Sequence, residues 1–304
     1  MPSLSTLLPP FLSNLSLPPP QTIGLVNISL PLLVASERFS FYPGSYIFKL
    51  LSSAAFLGGP LYYLAPASSP WQWQQWDPYH LRIAAGLVLS AIGDFCLIPT
   101  RTEYYDKHIG PLVANKKKDE AEEEEDEPKK LSASFQAGVG AFAAAHVAYI
   151  LAFLKNNTSA GSKASAAISW PVFTGTFAVS MLLSKCLGVI YPPKKKKNNN
   201  SSNNGGLLSG NLLNLSISDD MRPLVFGYSA IISGMLAVAA STTAAGSAAP
   251  PHQRLLGAAM FVASDIFVAK DSFGRRKAGS PGWWKPAVGF GLYFWAQMLI
   301  AGTV

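Results

Sequence analysis

The chain has 304 residues, 49% hydrophobic and 13% charged, with a mean hydropathy of +0.22 and a formal net charge of +7. A soluble domain carries about 25% charged residues, so this composition excludes a disordered chain and argues against a conventional soluble enzyme. Much of the charge is bunched at 116–130, 194–197 and 275–277, not spread over a basic face interleaved with aromatics, which argues against nucleic-acid binding.

Residues 1–21 are proline-rich, with Pro9, Pro10 and Pro18 to Pro20, and hold no Lys or Arg. They read as neither a standard signal peptide nor a mitochondrial presequence. Residues 22–304 read as one transmembrane helical domain. A span needs about 20 apolar residues to cross about 30 Å of hydrocarbon. Eight stretches meet or approach that length: 22–36 (short, and carrying Pro31), 45–65, 82–98, 132–154, 168–190, 222–242, 253–270 and 286–303. The loop at 66–81 has the Pro and Trp content of an interfacial belt. Disordered insertions are expected at about 101–130, which holds five lysines and eight acids at 116–130, and at about 192–220, which holds an Asn/Ser tract. The predicted class is an all-α, polytopic membrane bundle of about eight transmembrane helices.

Loop charge orients it. With eight spans, 18 of the 24 Lys and Arg fall in or beside the loops after spans 1, 3, 5 and 7, and 4 fall on the opposite side. This positive-inside split places the charged loops in the cytosol and both termini on the luminal side. Cys96 and Cys186 lie in apolar runs and act as small hydrophobes; two cysteines make neither a disulfide scaffold nor a Cys-rich metal site.

Of the 17 acids, only Asp94 and Asp265 sit well inside spans. An aspartate at a helix centre costs about 2.5–3.5 kcal/mol on the insertion scale, which makes each a functional candidate. Counted from the ends of their apolar stretches, both lie about 6–8 Å from the cytosolic boundary. They form a pair if their helices are neighbours. Otherwise each is a residue near a helix end reaching water. Other polar residues cluster at compatible levels. Lys49 is read equally as snorkelling to the interface or as part of the site. Tyr228 lies near the cytosolic side of its span. Ser90 and Asp94 share a helix face at i, i+4 spacing, as do Tyr293 and Gln297. Phe142, His146 and Tyr149 share another face, with His146 read chiefly as a packing and hydrogen-bonding group. Gly138 and Gly140 suggest close helix packing. The chain has no HExxH, GxSxG or phosphate-binding glycine loop, and its four histidines stand at no ligand spacing. No metal and no cofactor are expected.

Four segments then carry a family resemblance. Gly86-Leu-Val-Leu-Ser90-Ala-Ile-Gly93-Asp94 resembles the GLxxSxxGD segment of the YhhN-like lysoplasmalogenase family. The segment from Phe135 to Phe153 resembles the family's next one, ending in AHxxYxxAF at His146 and Tyr149. Gly257 to Ala269 is similar to GAxLFxxSDxxLA and includes Ser264 and Asp265. Tyr293-Phe-Trp-Ala-Gln297 is similar to the closing YxxAQ. Lys49 resembles the lysine of the second span, although Phe48-Lys49-Leu50 lacks the proline that usually follows. The four segments fall in order in spans 3, 4, 7 and 8, and with Lys49 the resemblance covers roughly spans 2 to 8.

The resemblance implies hydrolysis of the vinyl ether bond of a lysoplasmalogen, giving a fatty aldehyde and glycerophosphoethanolamine or glycerophosphocholine. Asp94 and Asp265 would supply the acid and base. Lys49, Ser90, His146, Tyr149, Tyr228, Ser264, Tyr293 and Gln297 would bind substrate or support the pair. The expected partners are a lysophospholipid and membrane lipid, in the endoplasmic reticulum or another endomembrane. Two readings stay open beside it: a proton-coupled transporter using the same aspartates, and a structural membrane protein whose buried acids fix helix register. The orientation is tested by adding protease outside sealed microsomes. Cleavage within 116–130 is expected; protection of that tract would reverse the topology.

Overall fold

The computed structural model describes residues 15–64, 77–108, 132–155, 167–190, 210–243, 251–274 and 282–304. Nine helices stand among them: α1 (Pro20–Arg38), α2 (Tyr42–Leu64), α3 (Pro78–Cys96), α4 (Arg101–His108), α5 (Ala133–Phe153), α6 (Trp170–Leu187), α7 (Arg222–Ser241), α8 (Pro251–Phe273) and α9 (Trp284–Ala301). Eight of these correspond one for one to the eight apolar stretches, and α4 is the addition. A two-residue antiparallel pair, β1 (Ala167–Ile168) with β2 (Thr242–Thr243), ties the start of α6 to the end of α7. The protein is an all-α helical bundle.

Local chemistry sets the helix ends. Proline opens α1, α3, α6 and α7, where its missing N–H costs nothing. The Asp77 carboxylate accepts from Tyr79 N at the start of α3, and the Ser132 hydroxyl accepts from Phe135 N at the start of α5. Gly188, at φ +86°, closes α6 in a left-handed conformation that a Cβ would disfavour.

The burial pattern is that of a membrane bundle. Buried side chains include Ser29, Ser52, Ser53, Ser90, Asp94, His146, Ser180, Ser233 and Gln297, while Val88, Ile92, Phe95, Val179 and Leu182 face outward. Serine pairs join neighbouring helices, Ser29 to Ser52 at 2.7 Å and Ser180 to Ser233 at 2.9 Å. In α6 only Ser180 is buried. Among the described residues, α5, α6 and α7 are long and apolar enough to cross a membrane by length and composition.

Successive helices pack as α1 on α2, α2 on α3, α3 on α5, α5 on α7, α7 on α8 and α8 on α9; α9 returns to α1 and also touches α2 and α3. This closes a ring of seven, with α6 laid against α7. Contacts between helix ends define two rims. At one rim Tyr42 Oη donates to Pro99 O, Ser134 Oγ to Cys96 O, and Ser216 N to Phe273 O. At the other, Tyr79 Oη donates to Thr303 Oγ1, Arg82 to Leu151 O, and Ser169 N to Ser241 O. The loops after α1, after α3, after α6 and after α8 therefore share one rim.

Parts of three tracts expected to lie apart from the domain, or to be disordered, are built into it. Within 1–21, Ser16 exchanges hydrogen bonds with the Gln253 amide, which also donates to Leu299 O. Within 101–130, α4 docks through Tyr104, which is 2% exposed and donates to Ser36 O. Burial, and then the nearby Glu37 carboxylate, push the Tyr104 phenol upward, so it stays a neutral donor. Within 192–220, Leu215 and Ile217 join Met221 and Val225 in a small apolar cluster, and Leu215 bridges to Gly274. These aromatic and aliphatic side chains find apolar partners, which the polar tracts beside them concealed. The charge block at 116–130 lies outside the described residues.

Glycine sets the spacing of α3 and α5. A Cβ on Gly93 would stand 2.7 Å from the Phe142 ring, one on Gly138 2.9 Å from Leu97, and one on Gly86 would overlap the Tyr149 ring. Gly140, expected to pack in the same way, faces open space. Gly93→Ala is expected to destabilise the bundle by about 1–3 kcal/mol through overpacking. Gly140→Ala is expected to leave stability unchanged or raise it slightly. Thermal melts of the two purified variants check the contrast.

Candidate functional site

Asp94 lies in the last turn of α3 and is 2% exposed. Its Oδ2 accepts from Ser53 Oγ at 2.7 Å and from Tyr293 Oη at 2.7 Å, and Lys49 Nζ stands 3.5 Å from Oδ1. Lys49 and Ser53 are one turn apart on α2, so a single helix face delivers both the cation and a hydroxyl. Lys49 points inward and forms an ion pair with this carboxylate.

Asp265 lies on α8 and is partly accessible. Tyr228 Oη, from α7, donates to its Oδ2 at 2.5 Å, and His146 Nε2, from α5, is 3.1 Å from the same phenol oxygen. The order is imidazole, phenol, carboxyl. His146 is fully buried and its Nδ1 has no partner. Ser264 donates to Phe261 O within its own helix and stands beside the Asp265 carboxyl.

A third set lies beside these two. Tyr149 Oη donates to Gln297 Oε1 at 2.8 Å and is 3.2 Å from Ser90 Oγ, while Gln297 Nε2 is buried without a partner. Aromatic rings join the sets. Phe261 packs edge-to-face on His146 with centroids 4.5 Å apart and on Tyr293 at 5.3 Å. Phe142 lies 6.2 Å from Phe261 and 5.9 Å from Tyr293. One aromatic layer thus touches the partners of both acids, Tyr293 beside Asp94 and His146 beside the phenol on Asp265. Two polar atoms near it, His146 Nδ1 and Gln297 Nε2, are left to a ligand or water.

The structure brings Lys49, Ser90, Asp94, His146, Tyr149, Tyr228, Asp265, Tyr293 and Gln297 into this one region. The route differs from the depth count made on the sequence. Asp94 is two residues from the end of α3, about 3 Å at helical rise, whereas Asp265 is eight from the end of α8, about 12 Å. Helix α8 continues through Lys270, Asp271 and Ser272 beyond its apolar stretch, so distance from the helix end and distance from the end of the apolar stretch differ. Shared neighbours, chiefly Tyr293 and Phe261, relate the two acids instead. Ser53 was missed, although its i, i+4 spacing from Lys49 was the available signal. A separate apolar groove of about 350 Å³ opens between α1 and α2, lined by Leu32, Ala35, Ser36, Phe39, Phe41 and Phe48. It includes neither aspartate.

Fold and site together define a membrane-type helical bundle with one buried carboxyl held by tyrosine, serine and lysine and one partly accessible carboxyl held by tyrosine. The model of the YhhN family matches residues 45–304, and the chain belongs to that family. No curated protein and no solved structure matches it.

The Lys49–Asp94 pair yields a stability test. Removing one partner of a buried ion pair leaves an uncompensated charge and costs about 3–5 kcal/mol. Lys49→Met is therefore expected to lower thermal stability sharply, and adding Asp94→Asn is expected to recover most of the loss. Equal melting of the single and double variants would show that the pair does not act as a unit.

Proposed function

We propose that the protein is a membrane hydrolase that cleaves the vinyl ether bond of a lysoplasmalogen. In this reading the eight long helices span an endomembrane, such as that of the endoplasmic reticulum, with the charged loops cytosolic. The lipid is taken from the cytosolic leaflet. Membership of the YhhN family supports the class.

The observation that carries the mechanism is the unequal set of partners around the two acids. Asp94 collects two hydroxyl donors and an ammonium, the surroundings of a carboxylate acting as a base. Asp265 meets the Tyr228 phenol and the neighbouring Ser264 hydroxyl, and the phenol accepts from a protonated carboxyl as readily as it donates to an ionised one. Asp265 therefore acts as the acid and protonates the β-carbon of the vinyl ether, leaving an oxocarbenium-like cation. Asp94 stabilises that cation and takes a proton from the water that adds to the carbon bearing oxygen. The product is a hemiacetal. Asp94 then returns its proton to the leaving oxygen as the C–O bond breaks, and the hemiacetal hydroxyl proton goes to Asp265. Aldehyde and glycerophospho-base leave with both carboxyls restored. Glycosidases use the same acid/base logic through a similar cation.

The test is aldehyde release by purified protein from a lysoplasmalogen and from its saturated alkyl-ether analogue. Release from the vinyl ether alone is expected, because only that substrate forms the cation by protonation. Asp94→Asn and Asp265→Asn are each expected to lower turnover per folded molecule by about 10²-fold or more. His146→Gln is expected to have a milder effect. Near-wild-type turnover in both Asn variants would sink the mechanism. Proton flux across vesicles without aldehyde would favour the transporter reading.

A further inference from the structure

Arg254 stands in the first turn of α8, at the rim opposite the charged loops. It is 2% exposed, and neither Nε nor Nη2 has a hydrogen-bond partner. Its guanidinium carbon lies 5.8 Å from the centroid of the Phe153 ring at the end of α5, and Tyr79 in the first turn of α3 is within electrostatic reach. The contact with Phe153 offsets part of the desolvation but satisfies no N–H in the guanidinium plane. An arginine does not relieve such burial by shedding its proton. It requires an anion.

Apart from the terminal carboxyl of Val304, next to Thr303, the chain offers few candidates at this rim. The segments 65–76, 156–166 and 244–250, which connect the helices there, contain no Asp or Glu. Asp77 is spent at the start of α3, accepting from Tyr79 N. The surroundings are instead rich in donors. His252 Nε2, two residues before Arg254, is also buried without a partner. The unpaired amides of the first turn of a helix add positive potential. The two unpartnered arginine nitrogens are also a chemically specific pair. Nε–H and Nη2–H form one edge of the guanidinium plane, the fork that grips two oxygens of a phosphate side by side.

We propose that Arg254, with His252 and the first turn of α8, forms a binding site for a phosphate group, supplied either by a phospholipid headgroup or by free phosphate. A helix terminus at the edge of a membrane bundle stands at the level of lipid phosphates, so a headgroup reaches the site without crossing the hydrocarbon. The site lies at the other end of the bundle from Asp94 and does not depend on the hydrolase reading.

The experiment uses delipidated, full-length protein in a neutral sugar detergent. One arm titrates short-chain phosphatidylglycerol and the other inorganic phosphate, and each records the melting temperature. In the lipid arm, wild-type protein is expected to gain about 2–4 °C at saturation. Arg254→Gln is expected to need at least ten times more lipid for the same gain, and Arg254→Lys to fall between the two. A gain in both arms, lost in Arg254→Gln, assigns the site to phosphate in general; a gain in the lipid arm alone assigns it to the headgroup. If wild-type protein responds in neither arm, the proposal is overturned whether or not the variants fold. An equal response of wild type and Arg254→Gln overturns it as well, since the lipid would then bind elsewhere.

Discussion

The ion pair between Lys49 and Asp94 is the constraint from which much of the bundle's geometry follows. A carboxylate in an apolar bundle is tolerated only where donors converge on it, and Asp94 draws them from two other helices. Helix α2 must turn one face toward α3 to supply Lys49 and Ser53, and α9 must come close enough for the Tyr293 hydroxyl to reach the same oxygen. That requirement explains why α9 touches α2 and α3 as well as its ring neighbours α8 and α1. The glycines on α3 and α5 belong to the same arrangement. By letting the Tyr149 and Phe142 rings lie against the α3 backbone, they bring the second group of polar side chains up to the first.

Two kinds of burial coexist in this fold. The faces that meet mix polar side chains with aliphatic and aromatic ones such as Leu87 and Phe142, and the faces that look outward are largely aliphatic and aromatic, where a water-soluble domain presents polar side chains. When the surroundings are as apolar as leucine, helices gain little by hiding leucine from them. Association then rests on close contact and on hydrogen bonds such as those between Ser29 and Ser52 or Ser180 and Ser233. Helix α6 shows the limiting case, since its one buried residue is also its hydrogen-bonding one.

The element boundaries were legible because apolar length alone nearly determines where a spanning helix can be. The eight stretches match eight helices, and the two acids stood out by their cost. The pairing of helices was less legible, since it rests on side chains that carry no signal by themselves. Ser53 looks like any small residue in a span until Asp94 is seen opposite. Helix α4 and the cluster around Leu215 were hidden for a different reason. Each is a short ordered piece at the edge of a polar tract, where average composition describes the tract and not the few side chains that dock. The end of α8 lies beyond its apolar stretch because hydropathy reports where the apolar residues stop, whereas helix hydrogen bonding continues into Lys270 and Asp271.

The docking of α4 also has a mechanical consequence. After α3 ends, Pro99 is held by the Tyr42 hydroxyl and Tyr104 by the Ser36 carbonyl, so the chain is fastened twice to α1 and α2 between Asp94 and the end of α4. Any pull exerted by the long charged tract downstream is absorbed at these two fastenings before it reaches the carboxylate. The tract is thereby insulated from the last turn of α3.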